Sequence, residues 1–101
     1  MSNTVTYAPG IINIVPDGTT DYDTKDFFPG GLKLIGVKFY TTTTTDIFSL
    51  SDGSAGGAII SQFTGTGKDV IPMGRWCFPY FDASDCTFAS AAAVKIILEY
   101  I

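Results

Sequence analysis

The sequence lacks histidine altogether, and it has few residues of the other types that carry most protein chemistry. Without histidine, catalytic triads that use it and zinc sites that it ligates are excluded. Basic residues are also scarce, because 6 Lys and Arg stand against 10 Asp and Glu, which gives a formal net charge of −4. No basic surplus is available to neutralise phosphates, so we expect no nucleic-acid binding.

No segment of the sequence has the features of a targeting or membrane segment. The first residues have neither a basic region nor a continuous apolar run, so they do not form a secretory signal. The longest apolar stretch, residues 89–101, is too short for a membrane span, and Lys95 and Glu99 interrupt it. We therefore predict a protein that is made in the cytoplasm and does not contact a membrane.

Two cysteines, Cys77 and Cys86, leave two alternatives open. Residues 78–85 could form a loop that brings them together in one disulfide. A cytosolic origin keeps thiols reduced, and two isolated cysteines form neither a CxxC motif nor a zinc ligand set. We favour structural thiols inside the fold, since free cysteine is among the residues most often buried.

The remaining composition predicts a single all-β domain over residues 1–101. Hydrophobic residues make up 46% and charged residues 16%, which excludes disorder. Threonine is abundant, 11 Gly and 5 Pro interrupt the chain, and no window keeps a helical repeat. We predict an antiparallel β-sandwich or a jelly-roll-like barrel of about 7–8 short strands. Residues 1–9 are predicted to be an extended arm that adds a strand to a neighbouring sheet, with a frayed terminus as the alternative.

Individual strands follow from period-two patterns and turn signals. A long acidic loop is expected over residues 17–31. In the strand that follows it, Gly36 is a candidate bulge, and Lys33, Ile35, Val37 and Phe39 are assigned to one face. The predicted strands cover residues 10–15, 32–43, 46–50, 58–63, 68–73 and 94–101, with short additional ones near 75–78 and 86–88.

Apolar side chains are present on both faces of some predicted strands. Ile97 and Ile101 lie opposite Ile96 and Leu98 in the last strand. A two-layer sandwich needs only one buried face per strand. The surplus predicts contact with another subunit or a large partner, and scattered surface apolarity is the alternative.

The acidic loop is the best candidate for a metal site. Carboxylates at short spacing suit Ca²⁺, and the loop carries four, at Asp17, Asp21, Asp23 and Asp26. The order fails the EF-hand pattern, because the sixth position lacks Gly and no Glu follows at the twelfth. A solvated loop with Asx-turns explains the same residues, and we predict no metal. Ion binding by this segment is left open.

Other chemical patterns are better explained as turns, so we predict no catalytic residues and no cofactor. Asp82 and Asp85 resemble a glycosidase pair, but they lie three residues apart in a turn-rich segment. No serine has a histidine partner. Residues 65–68 end in Gly-Lys, but they lack the phosphate-loop spacing and a following helix.

The aromatic segment around residues 75–81 has three interpretations: core packing, a protein interface, or a platform for sugars. Trp, Tyr and Arg are enriched at interface hot spots, and a small sandwich often buries its Trp. Together with the surplus apolar positions of the last strand, this segment supplies the candidate interface residues. They are Trp76, Phe78, Tyr80, Phe81, Ile97 and Ile101.

The C-terminal two-thirds of the chain resembles small virion proteins of tailed bacteriophages. The resembling segments are residues 46–60, 77–81 and 85–100, whereas residues 1–31 carry no signature. The resemblance implies a non-enzymatic β-sandwich that decorates or cements a capsid. It brings no catalytic residues, and it leaves open a place in the head, neck or tail.

We therefore predict a virion structural protein that forms a homo-oligomer and binds a major capsid protein or another virion protein. Few charges and excess apolar strand faces suit symmetric assembly. The alternative is a receptor- or carbohydrate-binding module of a fibre or tail. A small hydrolase is the third hypothesis, and the absence of a nucleophile constellation opposes it.

Overall fold

The computed structural model describes residues 3–101, in which nine strands account for most of the chain. Residues 1 and 2 of the predicted arm lie outside the described residues. Three single 3₁₀ turns, at Thr24–Asp26, Ala83–Asp85 and Ala91–Ala93, are the helical elements of the described chain. The strands are β1 (Thr4–Ala8), β2 (Ile11–Val15), β3 (Tyr22–Asp23), β4 (Leu32–Tyr40), β5 (Ile47–Asp52), β6 (Ile59–Thr64), β7 (Gly67–Cys77), β8 (Pro79–Phe81) and β9 (Lys95–Tyr100).

The strands form two antiparallel sheets, which confirms the predicted all-β sandwich. The first sheet has the order β1-β2-β9-β4-β7, and the second has the order β3-β8-β5-β6. Within the predicted arm, β1 pairs with β2 of the same chain. The edge strands β1 and β7 therefore lie at opposite sides of the first sheet.

The core lies between the two sheets and is built from alternate residues of their strands. From the first sheet, Phe39 is fully buried beside the apolar residues of β2 and β9. From the second sheet, the Phe48 ring lies 5.4 Å from that of Phe39 and 5.5 Å from that of Phe81. Burying each such side chain contributes about 1.5–3 kcal/mol.

The predicted bulge at Gly36 is present, and it changes the face assignment of β4. Pairing of β4 with both neighbours shifts between Leu34 and Gly36. Since the extra residue reverses the alternation, Leu34 is buried with Val37 and Phe39. The assignment of Lys33 and Ile35 to the face of Val37 was therefore wrong.

Three parts of the chain differ from the predicted loops and strands. The acidic loop contains β3, which pairs with β8, and β8 itself occupies part of the segment expected to loop between the cysteines. Both are too short to show a period-two pattern. The expected strand at 86–88 is a single bridge between Ile47 and Thr87.

Candidate interaction surface

Three exposed apolar side chains lie on the edge strand β7. Val70, Met73 and Trp76 are 71%, 91% and 68% exposed, and we call them the β7 patch. Val70 pairs with Gly36 and Trp76 pairs with Lys33. Since Asp69 and Arg75 alternate with them, Val70 and Trp76 both face outward from the first sheet.

An irregular segment in the middle of β7 places Met73 at the tip of a projection. On β4, Leu34 and Gly36 are two residues apart, whereas their partners Arg75 and Val70 are five apart. Met73 and Gly74 both adopt positive φ, 64° and 74°, which interrupts the extended backbone of the strand. Isolated positive φ at a methionine is uncommon and is held by the surrounding structure.

This segment also blocks the addition of a further strand to β7. Pro72 has no backbone N–H to donate, and the projection interrupts the straight edge that another strand would need. The apolar atoms of the β7 patch are therefore available to a partner through side-chain packing rather than through backbone pairing.

The outer face of the first sheet concentrates the positive charge of the protein. Four of the 6 basic residues lie on it by strand alternation: Lys33, Lys38, Lys68 and Lys95. Lys38 forms an ion pair with Glu99 at 3.6 Å. Within residues 3–101, Lys33 and Lys68 form no ion pair with a carboxylate.

A groove lies at the opposite edge of the sandwich, between β1 and the chain around β3. Its volume is about 310 Å³. Val5, Tyr7 and Phe27 supply its apolar surface, and Asp21, Asp23 and Asp26 supply carboxylates. We call these six residues the β1–β3 groove.

Aromatic packing gives this groove its shape. The Tyr7 and Phe27 rings lie 4.6 Å apart, and Phe27 is 63% exposed. The Tyr7 hydroxyl is 3.2 Å from the Tyr22 hydroxyl. Burial raises the pKa of Tyr7, with the nearby charge of Asp26 adding to the rise, and burial also raises the pKa of Tyr22. Both phenols therefore stay neutral, and the carboxylates determine the charge of the groove.

Two carboxylates of the predicted acidic loop, those of Asp17 and Asp21, accept hydrogen bonds within the fold. The backbone N–H groups of Thr19 and Thr20 donate to Asp17 Oδ1, at 2.8 and 2.7 Å. Tyr80 Oη donates to Asp21 Oδ2 at 3.0 Å. Across residues 3–101, no group of three or more His, Cys, Asp or Glu is placed to hold a metal ion. The hydroxyl of Thr20 and the backbone of Thr19 hold the pKa of Asp17 at about 2.

Asp82 and Asp85, the second acidic pair considered in the sequence, lie at a 3₁₀ turn. Asp82 Oδ1 accepts hydrogen bonds from Ser84 N at 2.9 Å and from Ser84 Oγ at 2.8 Å, and these bonds lower the pKa of Asp82. Asp85 lines a second cavity of about 320 Å³ with Ser49 and Ser51, and no lysine lies in the described lining to activate a serine.

The six predicted interface residues do not form one surface. Trp76 and Ile101 are exposed, and the main-chain N–H of Ile101 donates to Lys33 O, beside Trp76 in the register. Phe81 is 1% exposed and belongs to the core, so its assignment to an interface was wrong. The others, Phe78, Tyr80 and Ile97, are half-buried.

The sequence interpretation missed Val70, Met73, Tyr7 and Phe27 as surface residues. The sequence placed Val70 and Met73 in a short strand over residues 68–73, in which Pro72 indicated an edge or a strand end. The signal for them was Pro72 beside Met-Gly, a combination that breaks a strand. Phe27 had a weaker signal, as a large apolar residue in an otherwise polar segment.

Both cysteines are free thiols. Cys77 is buried in β7, and the thiol of Cys86 lies 4.0 Å from the carbonyl oxygen of Ser49. Burial raises the pKa of each thiol to about 11. The disulfide alternative is therefore absent from this structure.

We expect both thiols to react slowly with a thiol reagent at pH 8. Three pH units below a pKa of about 11, roughly one thiol in a thousand is the reactive thiolate. Labelling with a chromogenic disulfide should be at least about a hundredfold slower in the native protein than in denaturant. Rapid native labelling would contradict the burial, and an absence of free thiols after unfolding would indicate a disulfide. The Cys77→Ser and Cys86→Ser variants show which cysteine gives each labelling rate.

Comparisons with family models, with curated proteins and with solved structures find no match to this chain. In the described part of the chain, no helix reaches the length and apolar character of a membrane span.

Proposed function

We propose that this protein is a non-enzymatic structural subunit that assembles with copies of itself through the β7 patch. The observation that carries the proposal is the grouping of Val70, Met73 and Trp76 on one edge strand, each at least two-thirds exposed. Soluble monomers rarely expose large apolar side chains as a group, and such groups mark interaction sites. Trp is also the residue type most enriched at interface hot spots.

The setting that we propose is a bacteriophage virion, where the chain decorates or cements a capsid by binding a major capsid protein or another virion protein. The support is the resemblance in sequence described above, together with a β-sandwich of few charges. In such a role the subunit is repeated with the symmetry of the particle. A trimer, pentamer or hexamer in solution would narrow its place there.

The test is the absolute mass by light scattering over a concentration series. We expect the mass to rise above the monomer value of 10.8 kDa as concentration increases. Trp76→Ser should weaken association at least about tenfold, which corresponds to about 1.4 kcal/mol. Tyr40→Ser is the matched control, since Tyr40 is exposed but lies outside the β7 patch. A wild-type protein that stays monomeric into the high micromolar range would contradict the proposal.

A receptor- or carbohydrate-binding module is the second candidate, and the exposure of Trp76 favours it. An exposed indole provides a flat apolar surface on which a sugar ring can stack. Trp76 and Tyr80, two aromatic residues of the segment around 75–81, lie on strands of different sheets. Quenching or shifting of Trp76 emission by sugars would support this candidate, and a glycan array without hits would oppose it.

A further inference from the structure

We propose that copies of this chain associate head to tail, with Met73 of one copy inserted into the β1–β3 groove of the next. The inference rests on the proposed function, and it adds which surfaces pair and in what symmetry. The occupant of the groove is thus a second copy of the same chain.

The first argument for this pairing is the position of the two surfaces in the fold. The β7 patch lies on one edge strand of the first sheet, and the groove takes Val5 and Tyr7 from β1, the edge strand at the other side. The two surfaces therefore lie at opposite edges of the first sheet. The same chain presents both halves of a contact on opposite sides, which is the arrangement that successive copies need.

The second step is the match in shape and apolar chemistry. Met73 is the most exposed large apolar side chain among residues 3–101, at 91%, and it lies at the tip of the projection. Methionine is flexible and makes favourable contacts between its sulfur and aromatic rings. The groove offers the Tyr7 and Phe27 rings, and its volume of about 310 Å³ exceeds what one methionine side chain needs.

The third argument is the charge complementarity between the β7 patch and the β1–β3 groove. Lys33 and Lys68 lie beside the β7 patch, and neither forms an ion pair within residues 3–101. Of the groove carboxylates Asp21, Asp23 and Asp26, Asp23 forms an ion pair with Lys25 at 3.8 Å, and no basic side chain is among the residues that line the groove. Within residues 3–101, Asp21 and Asp26 form no ion pair, so the groove keeps a negative charge. Opposite charges at the two surfaces favour the contact between unlike surfaces and oppose the pairing of like surfaces.

The pairing of unlike surfaces has a consequence for symmetry. A two-fold dimer pairs the same surface on both subunits, whereas a head-to-tail contact leaves one free surface of each kind. Such contacts close into a ring or extend into a chain. We therefore expect rings or open chains rather than a closed dimer, and association should weaken as salt rises.

The test uses two variants that each destroy one surface, Met73→Glu and Phe27→Glu. Thr42→Glu is the matched control for both, since it adds one carboxylate at an exposed loop residue outside either surface. Light scattering and sedimentation velocity give the mass of each protein alone and of an equal mixture. Far-ultraviolet circular dichroism and thermal unfolding verify that every variant is folded.

Each variant alone should associate at least about tenfold more weakly than the wild type, while Thr42→Glu should behave as the wild type. The mixture should form a complex of two chains, because Met73→Glu keeps an intact groove and Phe27→Glu keeps an intact Met73. The two altered surfaces then repel and stop further growth.

Two outcomes would overturn the head-to-tail pairing while leaving self-assembly intact. One is a Phe27→Glu variant that assembles like the wild type, which would indicate that the β7 patch pairs with itself. The other is a mixture that stays monomeric although the wild type assembles. A monomeric wild type would instead refute the proposed function and the pairing with it.

Discussion

Phe48→Ala is expected to lower the free energy of unfolding by about 3–5 kcal/mol, the usual cost of truncating a buried aromatic side chain. Phe48 is fully buried, and its ring lies within 6.5 Å of those of Phe39, Phe63 and Phe81. Since Phe39 belongs to the opposite sheet, the truncation opens a cavity where the two layers meet. Urea unfolding followed by circular dichroism measures the change.

Phe27→Ala is the matched control for this substitution. Phe27 is 63% exposed, so its truncation should cost less than about 1 kcal/mol. A loss at Phe48 no larger than the loss at Phe27 would show that the two sheets do not pack through the Phe48 ring.

Gly57→Ala is expected to destabilise the protein by about 2–3 kcal/mol, because the added methyl group has no room. A Cβ at Gly57 would lie 1.8 Å from the carbonyl oxygen of Asp52. That oxygen is main chain, so the hairpin between β5 and β6 would have to move. The movement would also disturb the hydrogen bond from Asp52 N to Ala58 O, at 2.9 Å. Thermal and urea unfolding again supply the measurement.

The neighbouring Gly56→Ala provides a control one residue away. A Cβ there meets nothing within 4 Å, and Gly56 does not have a positive φ. We expect the free energy of unfolding to change by no more than about 0.5 kcal/mol. Any gain in stability would come from the lower conformational entropy of the unfolded chain with Ala in place of Gly. Equal effects at the two glycines would contradict the close approach of Gly57 to Asp52.

The class of fold and most strands were predictable, because they depend on local patterns. The last strand shows this most clearly, since Val94, Ile96 and Leu98 alternate in the sequence and are buried in the structure. The face assignment of β4 failed for a reason that is also local. Gly36 marked the bulge, but the reversal of the alternation that a bulge causes was not applied to Lys33 and Ile35.

The surfaces were harder to predict, because they depend on contacts between distant segments. The β1–β3 groove joins Tyr7 to Phe27, and no periodic pattern links those positions. Trp76 and Phe81 illustrate the same limit, since both lie in one aromatic segment and the face of the sheet on which each lies decides which is exposed. At Met73, Pro72 and Gly74 mark an interruption in the sequence of β7, but the register that leaves Val70 and Arg75 five residues apart depends on the pairing with β4.

The measurement that tests the central claim most directly is the fluorescence of Trp76 over a protein concentration series. It is the only Trp in the sequence, and it is 68% exposed in the single chain. Self-assembly through the β7 patch predicts emission typical of a solvated indole at low concentration. The emission should shift to shorter wavelength, and iodide should quench it less, as concentration rises. Emission that stays solvated and fully quenchable into the high micromolar range would contradict assembly through this surface.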